Sequence, residues 1–500
     1  MSDKKKIYKP RPISGFPEWL PETRRAEQAW FDHIRRVFES YGFCNIETPS
    51  VEELDAINAK GGDGEADADK EIYVIERLHK ELNYEIVHKD DDVPKHYTLI
   101  PINDPNYPDH KLYETSEKEA RLALHFDQTV PLARYTAQHF NELVFPFKRY
   151  QMQRVWRGER PQAGRFREFY QCDIDVINVD SLPQHFDAEM PAIVWEILSS
   201  LPGMENENIQ IRISNRKILI GLLNAYGVTD KNRITEYTRL IDKLEKKGVE
   251  TIYVGLKLNL KLDTLDENFA DAFIELASIK ATSNNFSRLL HDFIARNDVI
   301  ARSVSNEAIQ TLNEGIKELS FVMDQLSHLP EGAVVADLSI VRGLDYYTGT
   351  VYETVFLDDP SYGSICSGGR YDDLAGNYIN RHLPGVGISI GFSRLFERIR
   401  LKGNLPNLGT SPAAFLVVAE SEDELKTMNE TAQSLRANGH NVETWHRAEN
   451  KLKRPLAYAE KKGIRYIWLL PNEERETHEI KDMVERTQNP TTMKEWTKND

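Results

Sequence analysis

Cysteine is scarce in this 500-residue chain. Its three copies, Cys44, Cys172 and Cys366, stand far apart with no Cys-x-x-Cys pair, which argues against a disulfide framework and against a zinc site. Long apolar runs are missing too. None approaches the roughly 18 to 20 residues that span a bilayer, so no membrane partner is expected. The leader Met1-Ser2-Asp3-Lys4-Lys5-Lys6 is charged but is not followed by the apolar segment of an export signal, and a reducing cytoplasm is the expected location. Positive charge is in deficit. With 63 Lys and Arg against 79 Asp and Glu, the net charge is −16, so a nucleic-acid partner would require a local basic face. Arg447, Lys451, Lys453, Arg454, Lys461, Lys462 and Arg465 form one such cluster, which reads equally as the solvated surface of a helix. The remainder is ordinary: 40% hydrophobic and 28% charged residues fit a folded chain, and 500 residues exceed one core, which predicts two to four domains.

Glycine is concentrated where polar residues also gather. Arg342-Gly343-Leu344-Asp345-Tyr346-Tyr347-Thr348-Gly349 and Ser367-Gly368-Gly369-Arg370-Tyr371-Asp372-Asp373-Leu374 flank Thr350 to Leu357, whose β-branched and aromatic residues predict a buried strand. Each flank sets an arginine and a tyrosine beside glycines, where backbone can approach a ligand closely. Taken singly, either flank is equally a β-turn carrying surface arginines. Upstream, Arg154 to Ile177 reads as strand, loop, strand, turning at Pro161-Gln162-Ala163-Gly164. The two-residue period puts Phe169, Gln171, Asp173 and Asp175 on one face of the outgoing strand. Such a polar face requires partners; a salt-bridged surface hairpin would also supply them.

Around these segments the pattern is coarser. Glu22 to Tyr41 has helical spacing and Gly42 to stop it, followed by a short strand from Phe43 to Pro49. Residues 61 to 110 are acidic and turn-rich, an insertion or hairpin excursion. Residues 178 to 332 are mostly helical, interrupted by strand-like Ile209–Ile213 and Thr251–Gly255. Gly385 to Ile390 predicts a strand whose glycines allow tight packing, with Arg394 in the first turn of the following helix. Residues 401 to 410 are a linker by composition, and strands and helices then alternate from Ala413 to Leu470, predicting a small α/β domain. The tail from Asn489 to Asp500 is expected to fray.

The glycine-marked flanks resemble the two histidine-specific motifs of histidyl-tRNA synthetases, and Arg154 to Ile177 resembles motif 2 of the class II synthetases to which they belong. Glu22 to Pro49 resembles motif 1, and Gly385 to Arg398 motif 3. The resemblance implies an α+β catalytic domain on an antiparallel sheet, a helical insertion, and a C-terminal α/β anticodon-binding domain. Its implied boundaries are 1–178 and 333–402 for the catalytic parts, 179–332 for the rest of the catalytic sheet plus the insertion, and 411–500 for the anticodon-binding domain.

By that match the chain is a histidine–tRNA ligase. It would activate histidine with ATP to histidyl-adenylate and transfer it to the 3′ end of tRNA(His), as a homodimer through motif 1. The alternative is a synthetase-like subunit that senses histidine. The resemblance assigns Asp127 and Thr129 to the substrate's amino group, and Gln171, Asp175, Tyr347 and Tyr371 to histidine, with Asp175 receiving the imidazole N–H. Arg157 would bind the α-phosphate of ATP, Glu159 the adenine amino group, Phe169 the adenine ring, and Arg394 the γ-phosphate. Arg165, with Arg167, would face the pyrophosphate or the tRNA end. Arg342 would lie beside the substrate carboxylate and α-phosphate, where many relatives use a metal ion. No protein-bound metal is implied, and Mg²⁺ would accompany ATP. The chain departs from the family at His125, usually arginine, and at Asp175, where some members have glutamate.

Overall fold

The computed structural model describes residues 8–58, 72–75, 83–88, 98–101, 110–115, 122–162, 164–241, 244–263, 268–297, 306–340, 347–373, 375–376 and 378–496. Among them nine strands join in one sheet, in the spatial order Cys44–Asn45, Phe147–Trp156, Glu168–Ile177, Gly385–Ile390, Cys366–Tyr371, Thr350–Phe356, Ile209–Asn215, Val334–Asp337, Lys280–Ala281. Cys44–Asn45 runs parallel to Phe147–Trp156, and Ile209–Asn215 parallel to Val334–Asp337. Every other neighbour in this sheet is antiparallel.

The strand predicted over Thr350 to Leu357 forms at Thr350–Phe356 and is buried along most of its length. The second glycine-marked flank excludes its β-turn alternative. Cys366–Tyr371 is itself a strand, not a turn, because its glycines meet neighbouring strands too closely for side chains. A Cβ on Gly368 would lie 2.2 Å from the carbonyl oxygen of Gly387, so glycine here is a condition of pairing. The first flank falls largely outside the described residues, which resume at Tyr347.

The helix Pro21–Ser40 buries Ala26, Trp30, Ile34, Val37 and Phe38 at the predicted spacing, but the strand after it is only Cys44–Asn45. Within the acidic stretch, Asn83–His88, His110–Thr115 and Thr98–Pro101 make a separate three-stranded antiparallel sheet; the rest of that stretch, apart from 72–75, lies outside the described residues. Ile209–Asn215 is a strand as predicted. Thr251–Gly255 is not: it belongs to the helix Val249–Asp263. Ile252 and Leu256, four apart, are buried while Val254 between them is 60% exposed, so helical spacing of the apolar residues overrides the local β-branched content. The helices Arg216–Ala225 and Asn306–Gln325 cross closely at Gly221 and Gly315, where a Cβ would come within 2.6 Å of Leu312 N and 2.8 Å of Ile218 N respectively.

The described residues divide into two units: those within 1–17, 36–200 and 206–398 make one, and those within 18–35, 201–205 and 399–500 the other. The second unit has a five-stranded sheet in the order Val442–Thr444, Phe415–Val418, Tyr466–Leu469, Glu479–Asp482, Thr487–Pro490. The first three pair in parallel, as the alternating pattern predicts; the last two are antiparallel additions. The expected fraying of the tail is corrected over 489–496. Trp496 packs edge-on against Phe415 and Tyr466, and its carbonyl oxygen lies 2.6 Å from His440 Nε2, so burial of an indole anchors the segment. In the basic cluster, Arg447 and Arg454 pair with Glu449, Lys462 with Glu443 and Arg465 with Asp482; Lys451, Lys453 and Lys461 are exposed. No helix among the described residues is long and apolar enough to cross a membrane.

Candidate active site

The register of the large sheet assembles a polar pocket. Asp175 stands opposite Arg149 on one side and Gly387 on the other, and Gly387 opposite Gly369. One step along the strand, Asp173 stands opposite Gln151 and Ser389, and Ser389 opposite Ser367. Glycine occupies the centre of the first row because the acid needs the room. A Cβ on Gly387 would lie 2.0 Å from Asp175 Oδ1, and one on Gly369 2.8 Å from the ring of Tyr347. The resulting small cavity is lined by Thr129, Asp173, Asp175, Tyr347, Tyr371 and Ser389, with Ser367, Gly387 and Ile388.

Asp175 is held at both oxygens. Arg149 Nη2 lies 2.6 Å from Oδ2, and the Tyr371 hydroxyl donates to Oδ1 at 3.1 Å. Burial pushes its pKa up to about 6, against the opposing pull of Arg149 and Tyr371. Asp173 is pushed to about 7, again by burial first, with Arg149 and Ser389 working the other way. Asp127 is buried ahead of the helix Thr129–Gln138, and its Oδ1 accepts from Val130 N at 3.1 Å. Gln128 ties that helix start to the sheet, its amide donating to the carbonyl oxygens of Gln153 and Gln171. The side chain of Gln171 donates to Ser389 Oγ at 2.7 Å, at the pocket's wall.

A second set of side chains surrounds the 157–167 loop. Arg157 Nε donates to Phe126 O at 3.1 Å, and its guanidinium lies 5.2 Å from the centre of the Phe169 ring. Arg165 and Glu159 pair at 3.3 Å. Arg394 donates to the carbonyl oxygen of Tyr362 and sits 5.1 Å over its ring, while the Tyr362 hydroxyl donates to Arg394 O at 2.8 Å. Burial, then the nearby Arg165 charge, lowers the Arg394 pKa. Convergent cations beside a half-buried aromatic ring suit a polyanion attached to a flat ring.

Of the expected histidine residues, Thr129, Asp175, Tyr347 and Tyr371 share the cavity, Gln171 is hydrogen-bonded to Ser389 at its wall, and Asp127 is close enough for its charge to act on Asp175. Arg157 and Phe169 stand together, as do Arg165 and Glu159, and Arg394 is close enough to feel the Arg165 charge. Arg342 lies outside the described residues. His125, at the family's usual arginine position, is a core residue: 1% exposed, with Nε2–H donating to Arg154 O at 2.7 Å and burial lowering its pKa. Asp173 in the pocket and Arg149 behind it were given no role by the sequence. Asp173 was marked by the two-residue period; Arg149 carried no such signal, since an arginine inside a strand reads as a surface residue until its partner is known.

The profile of the histidyl-tRNA synthetase family matches residues 110–395. A histidine–tRNA ligase of Thermobifida fusca is 45% identical over 96% of each chain, and one of Bifidobacterium animalis subsp. lactis is 38% identical over 97% of this chain and 95% of its own. The chain belongs to the histidyl-tRNA synthetase family. The crystal structure of histidyl-tRNA synthetase from Nostoc sp. PCC 7120 has the same fold, with a TM-score of 0.77 at 34% identity over 98% of this chain and 99% of that one. The large, mainly antiparallel sheet is therefore the class II synthetase sheet, and the pocket of Asp175 and Tyr371 lies within the family's matched region.

Proposed function

We propose that this chain is a histidine–tRNA ligase that forms histidyl-adenylate from histidine and ATP and then esterifies the 3′ end of tRNA(His). The observation that carries the reading is the shared pocket of Thr129, Asp175, Tyr347 and Tyr371, a few residues along the strand from Arg157 and Phe169's nucleotide-type pairing. Histidine would place its ring against Asp175 and the two tyrosine hydroxyls, and its amino group toward Asp127 and Thr129. ATP would lay adenine on Phe169, with Glu159 at the adenine amino group, its α-phosphate at Arg157, its γ-phosphate at Arg394, and Arg165 toward the pyrophosphate. Arg342 would complete the clamp at the carboxylate.

Neither step demands a protein nucleophile. The histidine carboxylate attacks the α-phosphorus, pyrophosphate leaves, and fixed cations stabilise the charge that builds up between them. Mg²⁺ would arrive on the ATP phosphates. Residues 1–178 and 333–402 would form the catalytic domain, 179–332 complete its sheet and add the helical insertion, and 411–500 bind the anticodon, with exposed Lys451, Lys453 and Lys461 supplying charge for phosphate. We assign it to the cytoplasm, as a homodimer.

No observation favours a histidine-sensing subunit, and the relatives at 38% and 45% identity are named ligases. The test is transfer of labelled histidine to tRNA(His). Charging is expected; a folded protein that binds histidine but neither binds nor charges tRNA would put the sensor in its place.

A further inference from the structure

Asp173 has no task in the function proposed above, yet it is a wall of the pocket. It lies on the face shared by Gln171 and Asp175, is 4% exposed, and its Oδ1 has no hydrogen-bond partner among the described residues. Ser389 satisfies the other side of the carboxyl. A buried carboxylate oxygen left unpaired is costly, and a site that retains one is arranged for a donor that arrives with the ligand.

The charges around it specify the donor. Arg149 faces Asp173 from Phe147–Trp156, Asp175 from its own strand, and Asp127 from the start of the helix Thr129–Gln138. Gly385–Ile390 contributes the neutral Ser389, and the other polar groups at the cavity are the hydroxyls of Tyr347, Tyr371, Thr129 and Ser367. Among the described residues, three carboxyl groups thus meet one guanidinium. A cation is missing, and a neutral imidazole would not supply it.

We propose that Asp173 is a further substrate-binding residue, its Oδ1 accepting a hydrogen bond from the α-ammonium group of bound histidine. This rests on the proposed activation of histidine. Gln171, Asp127 and Thr129 then orient the ammonium from the sides, Asp173 from the sheet floor, and Arg149 positions both Asp173 and Asp175. A linked proton follows from the same geometry. Burial holds Asp173 near half-protonated at neutral pH in the free protein, whereas an adjacent ammonium favours the carboxylate, so binding expels a proton to water.

The test compares wild type with Asp173→Asn, which keeps shape and removes charge. Affinities for histidine, histidinol and imidazole-4-propionate, which lacks the amino group, are measured by calorimetry at pH 7 in two buffers of different ionisation enthalpy. The variant is expected to bind histidine and histidinol about 10- to 100-fold more weakly, the effect of losing a hydrogen bond to a charged group, with the des-amino analogue and the ATP KM unchanged. Wild type is expected to release more protons with histidine than with the des-amino analogue, a comparison that stands even if the variant does not fold. Equal affinities in variant and wild type, an equal loss for the des-amino analogue, or equal proton release for the two ligands would each overturn the assignment. Failure of wild type to bind histidine at all would instead remove the proposed function beneath it.

Discussion

Arg149 Nη2 and Asp175 Oδ2 lie 2.6 Å apart in a buried pair, with the arginine wholly buried. The guanidinium fixes the acid that is proposed to read the imidazole, and it does so from a neighbouring strand. Breaking one side of such a pair strands the other as an uncompensated buried charge. Arg149→Met should therefore lower unfolding free energy by about 3 to 5 kcal/mol in denaturant titrations at pH 8. An unchanged midpoint would contradict the pairing.

The imidazole assignment predicts a split between substrates. Asp175→Ala should raise the histidine KM or abolish histidine-dependent exchange, while the Kd for ATP stays within about twofold. A site that hydrogen-bonds a ring N–H discriminates by roughly 10⁴ to 10⁵, and most of that selectivity should go with the carboxylate. Equal losses for both substrates would remove Asp175 from the imidazole.

Gly387→Ala tests the room left for that acid. The added methyl would lie 2.0 Å from Asp175 Oδ1, whose carboxylate is pinned by Arg149 and Tyr371 and has little freedom to yield. Histidine activation should fall steeply, at a stability cost of about 1 to 3 kcal/mol from overpacking. Wild-type histidine KM in this variant would show that Asp175 is elsewhere.

These residues also show what a sequence can disclose. The sheet strands bearing Asp175 and Thr350 were legible because their two-residue alternation and β-branched content act locally. Asp173 was visible as a member of the polar face, but its partner-free oxygen was not, since that depends on strands distant in sequence, Gly385–Ile390 among them. Ser367 to Tyr371 left a turn and a ligand-approaching segment equally open, because its glycines permit either. They serve instead as clearance for the Gly387 backbone and the ring of Tyr347. Arg149 was illegible for the same reason: nothing near it in the chain announces Asp175. In the second unit, the alternating pattern exposed the parallel strands, but Trp496 anchors the tail through packing that no local signal encodes.

The pH dependence of stability has a definite sign. Asp173 has a folded pKa of about 7, raised by burial above its ordinary value of 3.8, so the folded chain holds a proton that the unfolded chain gives up. Its stabilisation is full below 3.8 and is lost as pH rises through about 7. Asp173→Asn stays neutral throughout. Its melting temperature relative to wild type should therefore rise between pH 4 and about 8, and a difference flat in pH would contradict the buried acid.

For the nucleotide side, Arg394→Ala should raise the ATP KM by about tenfold or more through loss of a charge-assisted phosphate contact, with the histidine Kd unchanged. An unaltered ATP KM would assign Arg394 only to its contact with Tyr362.

The most direct measurement is ATP–pyrophosphate exchange by the purified protein with each of the twenty amino acids in turn. Exchange with histidine alone is the predicted result, since it requires the pocket of Asp175 and the cations around Phe169 to act on one carboxylate. No exchange with any amino acid from folded protein, or exchange led by an amino acid without an imidazole, would contradict the account.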